Sequence, residues 1–172
     1  QFYRNGEYGL KQSYVMARLL LEKAVAQGDP GAMYNLAILY DKGQGVAQSY
    51  TKAVELYTMA AEQGHASAMF NLGIMYQDGR GVVQSDKKAA ELFTKAAETG
   101  DVEAMFNLGN MYRKGKVVQS FEKAAKLYTM AAEQGDASAM IVLGVMYIKG
   151  QGVVQSNELA RELFTKAANE GH

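Results

Sequence analysis

The sequence predicts an all-α solenoid, a stack of helix pairs repeated along the chain, and three observations predict it. Met33, Met69 and Met105 are spaced by 36 residues, and Met140 follows after 35. Leu36, Leu72, Leu108 and Leu143 keep the same register, as do Tyr40, Tyr76, Tyr112 and Tyr147. The glycines Gly28, Gly64, Gly100, Gly135 and Gly171 punctuate it at the same period. A unit this short cannot bury its own apolar face and must stack on its neighbours. Such a stack offers a surface for holding partners rather than a pocket for chemistry.

The elements follow in order. A partial unit, 1–28, comes first; its residues 12–28 align with the second helix of later units, with Ser13 ahead of that helix. Met16 and Leu19 stand there in place of the lysine and glutamate of other units. Four full units follow, 29–64, 65–100, 101–135 and 136–171. Asp29, Asp101 and Asp136 precede the first helices, where a carboxylate accepts from an unpaired backbone N–H, and Pro30 takes the first-turn position that proline tolerates. In the unit 65–100, residues 67–77 place Ala68, Leu72, Met75 and Tyr76 at i, i+4, i+7 and i+8, a helical stripe. Asp78-Gly79-Arg80-Gly81 is a loop, because two glycines in four residues permit positive φ and end the helix. Residues 86–98 then place Ala89, Leu92, Phe93, Ala96 and Ala97 on a second stripe. Ser49, Ser85, Ser120 and Ser156 stand just before each second helix as caps. Each unit is therefore helix A, loop, helix B, turn. Gly73, Gly109 and Gly144 lie mid-helix, where glycine costs about 1 kcal/mol relative to alanine; close approach to helix B is the reason expected, and Ala37 takes that place in the first full unit. The unit 101–135 is shorter, since Gly115-Lys116-Val117 lacks the second loop glycine. The whole chain, 1–172, reads as a single array. It begins within a unit and stops at His172, which would begin another, so the expectation is a fragment of a longer array or one whose ends pair with another copy.

Aligned, the units share Ala-Met-x-x-Leu-Gly-x-x-Tyr, then Gly-x-Gly-Val, then Lys-Ala…Ala-Ala-Glu-x-Gly, and this pattern resembles the Sel-one-like repeat (SLR) family, a relative of the tetratricopeptide repeat (TPR). Ala68, Leu72, Gly73, Tyr76, Gly79, Gly81, Val82, Ala89, Ala96, Ala97 and Gly100 carry the match. The resemblance implies a right-handed α-α superhelix of antiparallel helix pairs with the A helices on the concave face, and adaptor or scaffold work in multiprotein assemblies. The chain departs from the family in having Leu56, Leu92, Leu127 and Leu163 where tryptophan is common. It also lacks the cysteine pairs that staple the repeats of some secreted bacterial members.

Composition narrows the function. Eighteen basic and eighteen acidic side chains cancel, so no basic field points to nucleic acid or to an anionic membrane. No apolar run approaches the length of a membrane span. With no cysteine there is neither disulfide nor thiolate metal site. Gly43-Gln44-Gly45 and Gly79-Arg80-Gly81 are not phosphate-cradling loops, for no strand precedes them and they recur with the repeat. His65 and His172 occupy the repeat position of Asp29, Asp101 and Asp136, which makes them helix-start substitutions rather than catalysts or ligands. No cofactor is implied, and nothing argues for an enzyme. The in-phase methionines read as core, and the in-phase tyrosines as packing residues whose hydroxyls find a local partner.

At about 100° per residue, Phe70, Ile74 and Gln77 point nearly opposite the stripe of Ala68, Leu72, Met75 and Tyr76. Through the units this face reads Tyr34, Phe70, Phe106, Ile141; then Ile38, Ile74, Asn110, Val145; then Asp41, Gln77, Arg113, Ile148. A helix normally keeps such a face polar, and here it is largely aromatic and aliphatic. These twelve positions are the candidate partner-binding residues, an apolar groove on the A helices for a protein or peptide ligand. Wheel angles do not separate that role from packing between adjacent A helices. The second reading is a structural spacer or a self-associating array, joined through ends where Met16, Leu19 and Leu159 replace polar residues.

Overall fold

A computed structural model describes residues 14–170. Among them are nine α-helices and no strand: α1 Tyr14–Val25, α2 Pro30–Lys42, α3 Tyr50–Glu62, α4 Ala66–Asp78, α5 Asp86–Glu98, α6 Val102–Lys114, α7 Phe121–Glu133, α8 Ala137–Lys149 and α9 Asn157–Glu170. The even-numbered helices α2, α4, α6 and α8 are the A helices of the repeat, the odd-numbered ones its B helices. Ser13, Gly171 and His172 lie outside the described residues.

The helix boundaries follow from local chemistry. Asp29 accepts from the backbone N–H of Gly31 at 2.8 Å and of Ala32 at 3.1 Å, and Asp101 from Ala104 at 2.8 Å. Ser49, Ser85, Ser120 and Ser156 each accept from the N–H three residues on, at 3.2–3.3 Å. Each cap satisfies at least one of the orphan donors of a helix start, a contribution of about 1 kcal/mol. The A helices end on left-handed glycines. Gly79, for one, sits at φ 71° and returns its N–H to the Met75 carbonyl, a conformation that side chains with a Cβ resist. Against the expected 67–77, helix α4 is one residue longer at each end, so Asp78 belongs to the helix rather than the loop.

The chain divides into two compact units, Gln1–Ala89 and Ala90–His172. In the first, α1 packs on α2, α2 on α3 and α3 on α4; in the second, α6 packs on α7, α7 on α8 and α8 on α9. The core of each is built from the in-phase residues. Met33, Leu36, Ala37 and Leu39 of α2 are buried with Ala53, Tyr57 and Ala60 of α3; Met105, Leu108 and Met111 of α6 are buried with Ala124, Tyr128 and Ala131 of α7. Apart from the tyrosines Tyr57 and Tyr128, no residue with a polar or charged side chain is buried among those described.

Two close approaches explain glycines that propensity alone disfavours. A Cβ on Gly109 would lie 2.9 Å from Cε1 of the Tyr128 ring, and one on Gly144 would lie 2.7 Å from Cε1 of Phe164. The mid-helix glycine thus makes room for an aromatic ring of helix B, more than for the small alanines around it. The second loop glycine serves a different contact. A Cβ on Gly81 would fall 2.6 Å from the backbone carbonyl carbon of Tyr50, at the start of the preceding B helix. The tyrosines Tyr40, Tyr76 and Tyr112 differ from the sequence expectation. Their rings are half-buried, and among the described residues their hydroxyls take no partner; instead Lys52, Lys88 and Lys123 hold an ammonium 5.0, 5.0 and 5.2 Å from the ring centroids, cation–π contacts worth about 0.5–1 kcal/mol each. At Tyr147 the lysine position is Leu159, which stands 42% exposed.

Candidate functional site

The candidate face begins with the A-helix residues that the buried stripe leaves over. In the first unit Tyr34, Ile38, Asp41, Phe70, Ile74 and Gln77 are all half-buried rather than turned fully to solvent. Tyr34 lies on two aromatic neighbours: the Tyr57 ring at 5.9 Å, tilted, and the His65 imidazole at 4.7 Å, stacked. His65 also caps α4, accepting from the Ala68 N–H through Nδ1 at 3.3 Å, so its role is the helix start read from the repeat. Asp41 is not a free polar rim residue. Its carboxylate takes Nη1 of Arg80 at 3.0 Å, and Nε of the same guanidinium lies 3.3 Å from Asp78 Oδ2, with the Tyr50 ring 5.6 Å away.

Four of the candidate residues, Tyr34, Ile38, Asp41 and Ile74, converge with Tyr57, Asn71 and Arg80 on one cleft of about 240 Å3. Tyr57 is 1% exposed; its hydroxyl accepts from Asn71 Nδ2 at 3.2 Å. Burial pushes its phenol well above the ordinary range, the Asp41 charge adds to the shift, and the Asn71 N–H opposes it.

In the second unit the face is differently built. Phe106 lies tilted on Tyr128 at 5.8 Å. Arg113, expected as a varied residue for a partner, is turned onto its own repeat: Nε donates to the Tyr128 hydroxyl at 3.3 Å and Nη2 to Asn110 Oδ1 at 3.2 Å. The Tyr128 hydroxyl in turn donates to Asn110 Oδ1 at 3.0 Å, and burial raises its phenol pKa while Arg113 opposes. On α8 the row is open: Ile141, Val145 and Ile148 are 50, 38 and 43% exposed.

Sequence reasoning missed three participants. Arg80 sits in a loop read as purely structural, 39 residues from Asp41. Tyr57 belongs to a B helix, outside the A-helix rows. Gln48, Gln84, Gln119 and Gln155 each donate to the carbonyl of the third-row residue, Asp41, Gln77, Arg113 and Ile148, at 2.7–3.1 Å, fastening the loop to the end of the A helix. The last was visible as a glutamine recurring just ahead of every capping serine. Among the described residues no cluster of three His, Asp or Glu side chains is placed to hold a metal, and no helix is long and apolar enough to cross a membrane.

The model of the Sel1 repeat matches residues 1–29, 30–65, 66–101, 102–136 and 137–172, the full length of the chain. A comparison with curated proteins finds no match. Among solved structures, c5321, a protective antigen of uropathogenic Escherichia coli strains displaying an SLR fold, is 36% identical with a TM-score of 0.95 over 99% of this chain. A Sel1 repeat protein from Oxalobacter formigenes is 32% identical, with a TM-score of 0.88 over 99% of this chain. The chain spans 37% of the first and 68% of the second. Helicobacter pylori cysteine rich protein B is 27% identical, with a TM-score of 0.57, covering 76% of this chain and 94% of that one; the present chain has no cysteine.

Proposed function

This chain belongs to the Sel1 repeat family, and from that premise we propose that it holds a protein or peptide partner on the face of its A helices. Sel1 repeat proteins are generally protein-interaction scaffolds without catalytic activity, and the fold is their all-α solenoid of helix pairs. The observation that carries the finer reading is the apolar character of a face that rigid helices hold in place. Ile141, Val145 and Ile148 stand exposed on α8, and Tyr34, Ile38 and Ile74 line the cleft of the first unit. Exposed apolar side chains clustered this way mark contact surfaces. Because helices carry them, little ordering entropy is lost on this side of the complex.

The test is affinity capture with wild type and with Ile141→Asp/Val145→Asp, two exposed positions whose change leaves the core intact. A partner retained by wild type and lost by the folded variant supports the face; equal retention removes it. A second reading, self-association, rests on the exposure of Met16, Leu19 and Leu159 at 44, 42 and 42%. Sedimentation across a concentration series decides it, since Leu19→Lys and Leu159→Lys would abolish any dimer built there.

A further inference from the structure

Tyr57, Phe93, Tyr128 and Phe164 occupy one repeat position on the B helices. Phenylalanine serves the packing there twice, so the two hydroxyls are extras, placed where an unmet donor is costly. Tyr128 is satisfied by its own repeat: it accepts from Arg113 Nε at 3.3 Å and donates to the Asn110 carboxamide oxygen at 3.0 Å. Tyr57 is not. It accepts from Asn71, but Ile38 stands where the other repeat has Asn110, and among the described residues no acceptor takes its proton. The residue is 1% exposed and lines the 240 Å3 cleft.

We infer that this cleft seats a primary carboxamide side chain, glutamine or asparagine, of the bound partner. The inference rests on the reading of the A-helix face as the binding surface and names what one part of it recognises. The carboxamide oxygen accepts the Tyr57 proton, reproducing the bond that Asn110 makes to Tyr128. Its N–H2 donates to Oδ2 of Asp41, since Oδ1 is the oxygen engaged by Arg80. The aliphatic stem lies among Tyr34, Ile38 and Ile74. Charge argues against a carboxylate: the lining carries Arg80 and Lys42 against Asp41, but the Arg80 guanidinium is already engaged by Asp41 and, outside the lining, by Asp78, and the Asp41 carboxylate would repel the guest. A purely apolar guest would leave the Tyr57 donor and the Asp41 oxygen dry and unpaired.

The experiment uses the peptides Ac-Ala-Ala-Xaa-Ala-Ala-NHMe with glutamine, glutamate or norleucine as guest, titrated while methyl NMR reports Ile38 and Ile74 in the cleft and Ile141 and Val145 on α8. The glutamine peptide is expected to shift the Ile38 and Ile74 methyls and to bind about threefold to tenfold tighter than the other two, the worth of one buried hydrogen bond. Tyr57→Phe, which folds because Phe93 and Phe164 fill the same position, and Ile38→Asn, which supplies the acceptor internally, each erase that preference. Tighter binding of the glutamate peptide, equal binding of norleucine, a preference that survives Tyr57→Phe, or no shift at Ile38 and Ile74 with any guest overturns the inference. Guest-independent shifts on both sets of methyls overturn it while leaving the A-helix face standing; silence at all four residues counts against both.

Discussion

Tyr57 and Tyr128 fill the same repeat position, and in each a buried phenol is held above its ordinary pKa by desolvation. The folded state therefore holds its phenolic protons more tightly than the unfolded chain. Stability from these groups is complete below an unfolded value of about 10 and is lost as pH rises above it. Denaturant midpoints should fall from about pH 10 upward, and the fall should be shallower in Tyr57→Phe/Tyr128→Phe; phenolate absorbance at these two residues should appear at higher pH in the folded protein than in the unfolded chain. The aromatic first row of the A helices divides by the same logic of burial. Phe106, tilted on Tyr128, should cost about 1–3 kcal/mol on truncation to alanine, short of a full core phenylalanine because it is half-buried. Ile141, 50% exposed, should cost less than about 1 kcal/mol. Chemical denaturation of both variants checks the ordering.

At the scale of the element, helix starts among the described residues are held by side-chain caps, serine ahead of the B helices and aspartate or His65 ahead of the A helices. Ser85→Ala should lose about 1 kcal/mol. Loop glycines should be unequal: Gly64 has φ 86° and nothing within 4 Å of a Cβ, whereas Gly81 combines φ 71° with the Tyr50 backbone at 2.6 Å. Gly64→Ala should cost about 1 kcal/mol for the dihedral alone, and Gly81→Ala clearly more, read as a larger drop in melting temperature. The caps and helix limits were legible in the sequence because their rules are local: Ser49 or Asp101 needs only its own chain three residues on. The methionine and leucine core was legible because period alone assigns it. What Tyr34, Asp41 and Arg113 do was not legible, since each is settled by a residue of another element: Tyr57, Arg80 and Tyr128 respectively. A wheel angle says which way Asp41 leaves its helix and nothing of the guanidinium 39 residues on. The tyrosine hydroxyls of Tyr40, Tyr76 and Tyr112 were misread for the same reason; the lysine over each ring comes from helix B.

For the whole molecule, repetition supplies the framework and departures from it supply individuality. The same position is Asn110 in one repeat and Ile38 in another, and that exchange turns a tyrosine satisfied within its own repeat into a donor facing a cleft. On the proposed function, specificity is written where repeats differ on a face that the framework holds still. The measurement that tests this most directly is site-specific photo-crosslinking to a captured partner. A photoreactive residue is placed at Ile141 or Ile148 on an A helix, or at Met59 or Met130, which are exposed on B helices. Crosslinks from positions 141 and 148, with none from 59 and 130, are the predicted result. Crosslinks from 59 or 130 alone would place the partner on the B helices and contradict the account.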